Sequence, residues 1–299
     1  MINVGVVGFG NLGRAVAKQI AHNKEFNLVA VFSRRDIENT ISYDTILDYK
    51  ERIDLLFLCG GSKNDIEQQS SFLIQHFNII DCYDNHSQLQ EHIENINQLA
   101  KSNKKVALCA LGWDPGLFSL MRGLFDALGH TPYTFWGRGT SQGHTQAIKQ
   151  IKGVKDALQF TIPNTHAISK IKHGKNVGTQ NSHFRKCFIV ANKKDEKQIR
   201  NEIINMPHYF KGYKTSVKFV SKKQLQKLKS FSHKGEIVSA KNILNFSLNI
   251  KSNPDFTAKI MILFAKSLNF FHKNCNYGAK TIFDIPFRCI LNKDLFCFL

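Results

Sequence analysis

The chain has 299 residues, 42% of them hydrophobic and 11% aromatic, which is enough length and apolar content for two domains with buried cores. Its formal charge of +18 invites a nucleic-acid reading, but the excess is local: residues 138–251 hold 23 Lys and Arg against 5 Asp and Glu, and the remainder balances at 18 against 18. That basic segment has no zinc-finger spacing, no RNP-like aromatic strand and no compact arginine-rich arm, so its lysines read as solvated surface and no nucleic-acid partner is expected.

Met1 is followed at once by an apolar run rich in β-branched residues, INVGVVG at residues 2–8, with no basic segment and no apolar core of about 7 to 15 residues as in a secretion signal. The turn Gly8-Phe9-Gly10-Asn11-Leu12-Gly13 comes next, and residues 14–21 read as a helix. Further apolar strands are expected at 28–32, 55–59, 78–81 and 106–110, separated by helix-length stretches such as 64–77 and 87–102. Alternation of this kind predicts an α/β chain whose residues 1–116 form a Rossmann-type, doubly wound parallel sheet.

After Trp113-Asp114-Pro115-Gly116 the pattern changes. A helix at 117–128 leads to strand candidates at 133–136, 158–162, 187–191 and 215–220, so residues 117–252 read as a second, α+β domain. Asn253-Pro254-Asp255 can cap one long final helix through residue 271, and residues 253–299 are expected to pack back onto the first domain. The most apolar late stretch, 260–271, contains Lys266 and falls short of the roughly 18 uninterrupted apolar residues of a membrane span. A soluble protein without a membrane partner is expected. The seven cysteines are odd in number, widely spread and without CxxC spacing, which fits reduced core thiols in an intracellular protein and no metal site.

GFGNLG fits GxGxxG, and each glycine has a reason: Gly8 for the tight turn, Gly10 for close approach to a pyrophosphate, Gly13 for packing of helix on strand. Its place after an apolar strand and before a helix makes the turn a dinucleotide site. An acid should follow about 20 residues on to hold a ribose hydroxyl, but Ser33, Arg34 and Arg35 stand there instead. A 2′-phosphate repels a carboxylate and suits guanidinium forks and a hydroxyl, so NADP(H) is favoured over NAD(H). Two exposed arginines without a ligand are the plainer alternative.

Ligands of open α/β sheets bind beyond the carboxyl ends of strands. Three such ends carry unusual residues: Cys59-Gly60-Gly61-Ser62, Asp81-Cys82-Tyr83-Asp84-Asn85-His86 and Leu111-Gly112-Trp113-Asp114-Pro115-Gly116. Asp84 and Asp114 would then lie near the nicotinamide, where carboxylates suit an ammonium or iminium group. Taken singly, Asp84 reads equally well as a helix N-cap and Asp114 as a turn residue.

With these motifs the chain resembles the NADP-dependent meso-diaminopimelate dehydrogenases. GFGNLGRAV, VFSRRD, DLLFLCGGS, YDNH, GWDPGLFS, TFWGRGTSQGH, QFTIP, HFRKCFIVA, MPHYFKGY and NPDFTA carry the resemblance, in family order along nearly the whole chain. It implies hydride transfer between NADP(H) and the D-configured α-carbon of meso-2,6-diaminopimelate, giving an imine that water opens to L-2-amino-6-oxopimelate and ammonia. The reverse direction is a reductive amination in lysine and cell-wall precursor synthesis.

The resemblance also implies which residues act. Gly8 to Gly13, Ser33 to Arg35, Cys59 to Ser62, Cys82, Tyr83, Asp84 and Leu111 to Pro115 would hold the cofactor. Asp84, Trp113, Asp114, Trp136, Gln142, Gly143, Thr161, Arg185, His233 and Asn253 would surround the substrate, with Asp84 and Asp114 at the reacting amine. Arg185, Thr161 and His233 suit the distal carboxylate, Asn253 the distal L-centre, and the two tryptophans the methylene chain. A cytoplasmic homodimer formed through the second domain is implied as well. The chain departs from the family's pattern at SFSHKGEIVSAKN around His233, at Leu111 where threonine is usual, and at Gly137-Arg138-Gly139 after TFW. Another NADP-dependent amino-acid dehydrogenase or reductase, or a non-catalytic NADP(H)-binding relative, is the alternative.

Overall fold

The computed structural model describes residues 1–299 apart from 62–64, 208 and 229–231 and the side chains of Gln142 and Thr179. The chain forms two compact units, one of Met1–Leu120 with Pro254–Leu299 and one of Met121–Asn253.

The first unit begins with β1 (Ile2–Val7), α1 (Asn11–Ile20), β2 (Phe26–Ser33), β3 (Ile41–Ser42), β4 (Leu55–Leu58), α2 (Glu67–Leu73), β5 (Asn78–Asp81), α3 (Leu89–Ser102) and β6 (Val106–Leu108). Helix α4 (Leu117–Ala127) contains the boundary. The second unit continues with β7 (Tyr133–Trp136), β8 (Gly139–Thr140), α5 (Gln142–Lys149), β9 (Val154–Pro163), α6 (Thr165–Lys172) and β10 (His183–Ala191). It closes with α7 (Glu196–Asn205), β11 (Lys214–Phe219), α8 (Lys222–Leu228), β12 (His233–Val238) and β13 (Asn245–Ile250). The chain then returns to the first unit through α9 (Asn253–Ala265), α10 (Leu268–Lys273) and β14 (Gly278–Lys280).

In the first unit β14-β6-β5-β4-β1-β2-β3 form one sheet, parallel at every pairing. Successive side chains of a strand point to opposite faces, and here both faces are apolar. Val4 and Val6 of β1 with Leu55 and Phe57 of β4 pack against α1 and α9, while Val7, Leu56 and Leu58 pack against residues of α2 and α3. Burial on both faces is what all-parallel sheets require. The strand order reverses at β1, whose neighbours are β2 on one side and β4 on the other, so a crevice opens beyond its carboxyl end.

The second unit holds a four-stranded sheet, β11-β10-β9-β8, in which only β10 and β11 are parallel, and a three-stranded antiparallel sheet, β13-β12-β7. Cys187 and Ile189 of β10 build one core with Ile148, Ile199, Ile203 and Phe210.

The α/β fold class with an added α+β unit agrees with the sequence reading, and three local differences have physical causes. β6 ends at Leu108, two residues early, and Ala110 takes a left-handed φ of 57° that no strand continues through. The single long terminal helix is two helices, because Lys266 is drawn to Glu25 and Asn292 and the Ser267 hydroxyl donates to the Phe264 carbonyl at 2.7 Å. β12 and β13 went unread because their exposed face is polar and their apolar positions are few. Among the described residues no helix is long and apolar enough to cross a membrane.

Candidate functional site

The glycine turn after β1 has the geometry its spacing suggests. Gly8 has a left-handed φ of 93°, and a Cβ on Gly13 would lie 1.9 Å from the Gly8 carbonyl oxygen, so the start of α1 can sit on the turn only if residue 13 is glycine. A Cβ on Gly10 would meet nothing within 4 Å. Helix α1 starts directly after Gly10 with no side-chain cap and no acid in its first turn, which leaves its positive end for an anion. Arg14 lies over the Phe9 ring at 4.2 Å. A cradle with open space at Gly10 fits a pyrophosphate.

At the end of β2 the buried Ser33 Oγ accepts from the Arg35 N–H at 3.1 Å, tightening the turn that presents Arg34 and Arg35. Both arginines are exposed. Arg34 pairs with Asp65, whose other carboxylate oxygen accepts from the Gly61 N–H at 3.1 Å. Asp65 thus ties the turn after β4 to the turn after β2, a link that sequence reading did not find. A Cβ on Gly60 would lie 2.6 Å from the Asp65 Cβ, so glycine is what admits that carboxylate. Cys59 and Cys82 sit at this end of the sheet with their thiols pushed well up by burial, which keeps them neutral. Ser62 lies outside the described residues.

Beyond β5, Asp84 is exposed, and beyond β6, Asp114 is partly exposed in a tight loop. That loop is closed by Gly112 N–H to the Pro115 carbonyl at 2.9 Å and Leu117 N–H to the Gly112 carbonyl at 3.1 Å, with a cis Asp114–Pro115 bond. A Cβ on Gly116 would lie 2.0 Å from the Gly112 carbonyl oxygen. The Trp113 ring meets Phe118 edge-on at 5.3 Å. Tyr83 and Leu111, both expected at the cofactor, are fully buried within the unit, Tyr83 stacked on His92 at 4.0 Å.

In the second unit, alternation along β10 puts His183 and Arg185 on one face, and the register pairs Arg185 with Thr161 and His183 with Pro163 of β9. The Arg185 guanidinium donates to Thr161 Oγ1 at 2.7 Å and lies over the Tyr213 ring at 4.5 Å. No carboxylate pairs with it among the described residues. Burial lowers its pKa, the signature of a guanidinium short of counter-charge.

Two histidines border it. Burial first and Arg185 second lower His144 to about 3 and His183 to about 4, so both are neutral at ordinary pH. His183 Nε2 then accepts from the Trp136 N–H at 2.8 Å, with the rings 5.3 Å apart, and His144 Nδ1 bonds to Ser141 Oγ at 2.7 Å. Gly139 pairs with Thr161, and a Cβ on it would lie 3.0 Å from the His233 ring, so glycine lets that ring come close. Trp136, Thr161, Arg185 and His233 are therefore neighbours around one uncompensated cation. Gln142 and Gly143 begin α5 nearby, with open space at Gly143, and Asn253 begins α9. His144, His183 and Tyr213 were missed. Only the period-two phase of HFR, shared by His183 and Arg185, hinted at one of them.

Comparison with known proteins bears on the family and the fold. Residues 112–252 match the family described as the diaminopimelic acid dehydrogenase C-terminal domain. The chain is 41% identical to the meso-diaminopimelate D-dehydrogenase of Ureibacillus thermosphaericus over 98% of this chain and 96% of that one. Among solved structures it resembles the diaminopimelate dehydrogenase of Corynebacterium glutamicum in complex with diaminopimelate, at a TM-score of 0.94 and 34% identity over 99% and 97% of the two chains. It also resembles an engineered D-amino-acid dehydrogenase bound to NADP+, at a TM-score of 0.89 and 32% identity over 99% and 98%.

Proposed function

The chain belongs to the meso-diaminopimelate dehydrogenase family, and from that premise we propose how its own residues carry out the reaction. It is an NADP-dependent oxidoreductase that deaminates meso-2,6-diaminopimelate at the D-centre to L-2-amino-6-oxopimelate and ammonia, reversibly, in diaminopimelate and lysine synthesis. When bound, NADP+ supplies the hydride acceptor.

The turn Gly8 to Gly13 and the start of α1 take the pyrophosphate, and Ser33, Arg34 and Arg35 take the 2′-phosphate. Gly60, Gly61 and Ser62, Cys59, Cys82 and the Gly112 to Pro115 loop complete that contact. Asp84 and Asp114 would hold the reacting ammonium; one of them, directly or through a water, accepts its proton, since hydride leaves only from the neutral amine, and both stabilise the iminium cation that a water then opens to the oxo group and ammonia. Trp113 and Trp136 wall the methylene chain. Arg185 and Thr161, with His233, take the distal carboxylate, Asn253 bonds to the distal L-centre, and Gln142 and Gly143 complete the surround of the substrate. No protein nucleophile is needed, since orientation of the α-hydrogen and placement of charge are the protein's task.

Arg185 carries this reading: a partly buried guanidinium already bonded to a hydroxyl and with no carboxylate paired to it among the described residues suits a carboxylate of the substrate. The test is purified protein with NADP+ and the separate meso, L,L and D,D isomers at alkaline pH, read as absorbance of reduced cofactor. Turnover on the meso isomer with none on the L,L isomer supports it. Binding of NADPH with turnover on no isomer would overturn it. We further propose a cytoplasmic homodimer joined through the second unit, the reading that family resemblance favours; a monomer mass by light scattering at micromolar protein would refute the dimer.

A further inference from the structure

Behind the strand ends of the first unit lies a buried polar cluster that the reaction does not use directly. Asp81, the last residue of β5, is fully buried, yet it makes no ion pair with Lys or Arg among the described residues. One carboxylate oxygen accepts from the Tyr83 N–H at 2.9 Å and from the Ala110 N–H at 2.8 Å. The other lies 3.2 Å from His92 Nε2, on α3. The Asp81 carbonyl accepts from the Leu111 N–H at 2.9 Å, and the Tyr83 ring stacks on the His92 imidazole at an interplanar angle of 13°.

These bonds join two turns that are far apart in sequence. Tyr83 directly precedes Asp84, and Ala110 and Leu111 lead into Trp113 and Asp114. A buried carboxylate costs several kcal/mol of desolvation unless its oxygens are satisfied, and here one side chain holds an amide of each turn. Ala110 adopts its left-handed φ in the same stretch, a conformation that a hydrogen bond to its N–H helps to hold.

Asp81, His92 and Cys109 stand close enough to suggest a metal. The bonding argues otherwise, because two amides and the imidazole occupy the carboxylate oxygens, and burial pushes the Cys109 thiol well up and keeps it protonated.

We propose that Asp81 and His92 are positioning residues for the dehydrogenase reaction: the Asp81 carboxylate, oriented by His92, fixes the turns that carry Asp84 and Asp114 relative to each other. The inference rests on the reading that Asp84 and Asp114 hold the reacting amine. A displacement of about 1 Å at a reacting group can cost on the order of 100-fold in rate, so loosening this cluster should act on turnover more than on cofactor binding, which the Gly8 to Gly13 turn dominates.

The experiment compares His92→Leu, His92→Gln and Asp81→Asn with the wild type, measuring kcat on meso-diaminopimelate and NADP+, the Kd of NADPH, and Tm. Asp84→Ala and Asp114→Ala serve as controls. His92→Leu and Asp81→Asn should each lose at least about tenfold in kcat with the NADPH Kd within about twofold, and His92→Gln, which keeps a donor, should recover most of the loss. The proposal is overturned if His92→Leu and Asp81→Asn keep kcat within about twofold, if the loss of kcat only follows a parallel loss of NADPH binding, or if neither variant folds, since the cluster would then serve the core alone. Full turnover in the two aspartate controls would instead sink the reading on which the proposal rests.

Discussion

In the first unit the carboxyl ends of β1, β4 and β6 offer a ligand tight glycine turns and the uncapped start of α1, whereas in the second unit Arg185, Thr161 and His183 offer side chains standing on paired strands. The two designs place different demands on sequence. A main-chain cradle tolerates one residue type at a few fixed spacings, because a Cβ on Gly13 would sit inside van der Waals contact of the Gly8 carbonyl. A side-chain cluster on strands depends on register between segments more than 20 residues apart, and many sequences can supply it. In the proposed reaction one design would fix the cofactor by shape, and the other would select the substrate by charge.

The largest effect that would break this contrast comes from the cradle. Gly13→Val should prevent α1 from docking on the turn after β1 and abolish NADPH binding, while Gly10→Val, with open space around it, should leave Tm within a few degrees but weaken NADPH by about 100-fold. Calorimetric titration and thermal unfolding separate the two; equal losses of fold in both would mean that the glycines serve packing alone. Next comes Arg185→Met, which should raise KM for meso-diaminopimelate by about 10- to 100-fold with the NADPH Kd unchanged, the scale of hydrogen bonds to a charged group. An unchanged KM would move the distal carboxylate elsewhere.

A smaller effect is expected at the 2′-phosphate turn. Arg34→Ala combined with Arg35→Ala should weaken NADPH by about tenfold and leave NADH nearly unaltered, since Arg34 already shares its charge with Asp65 and each exposed contact is screened. Equal losses for both cofactors would remove the 2′-phosphate role.

The smallest is a pH effect on the second unit. Folding depresses His144 to about 3 and His183 to about 4 from the ordinary 6.5, so below 6.5 the unfolded chain binds more protons than the folded one. Stability contributed by the neutral rings is therefore present above pH 6.5 and lost as pH falls toward those values. The variant His144→Gln with His183→Asn should show a flatter Tm between pH 6.5 and 4 than the wild type. A Tm that declines as steeply in the variant would assign the acid sensitivity to other groups.

The contrast also explains what could be read from the sequence. GFGNLG, Ser33-Arg34-Arg35 and the strand-end glycines are local, and the bounds of β5 and β7 matched to the residue because each is a short apolar or aromatic run between polar stretches. Asp65 could not be found that way, since its link from Arg34 to Gly61 exists only once two parallel strands are in register. His183 and His144 read as ordinary histidines until Arg185 lies beside them. Tyr83 and Leu111 stand in the same quoted segments as exposed residues yet are fully buried, because motif membership says nothing of which way a side chain turns. His233 stands in a stretch with no local signature of its own, and the structure brings that ring against Gly139, beside Thr161.

The most direct test of the central claim follows the hydrogen itself. Meso-2,6-diaminopimelate carrying deuterium at the D-configured α-carbon, incubated with the protein and NADP+, should deliver the label to the reduced cofactor, and the same label at the L-configured carbon should stay in the amino-oxo product. Label in the cofactor from the L-centre, or reduced cofactor formed without label from either centre, would contradict the account.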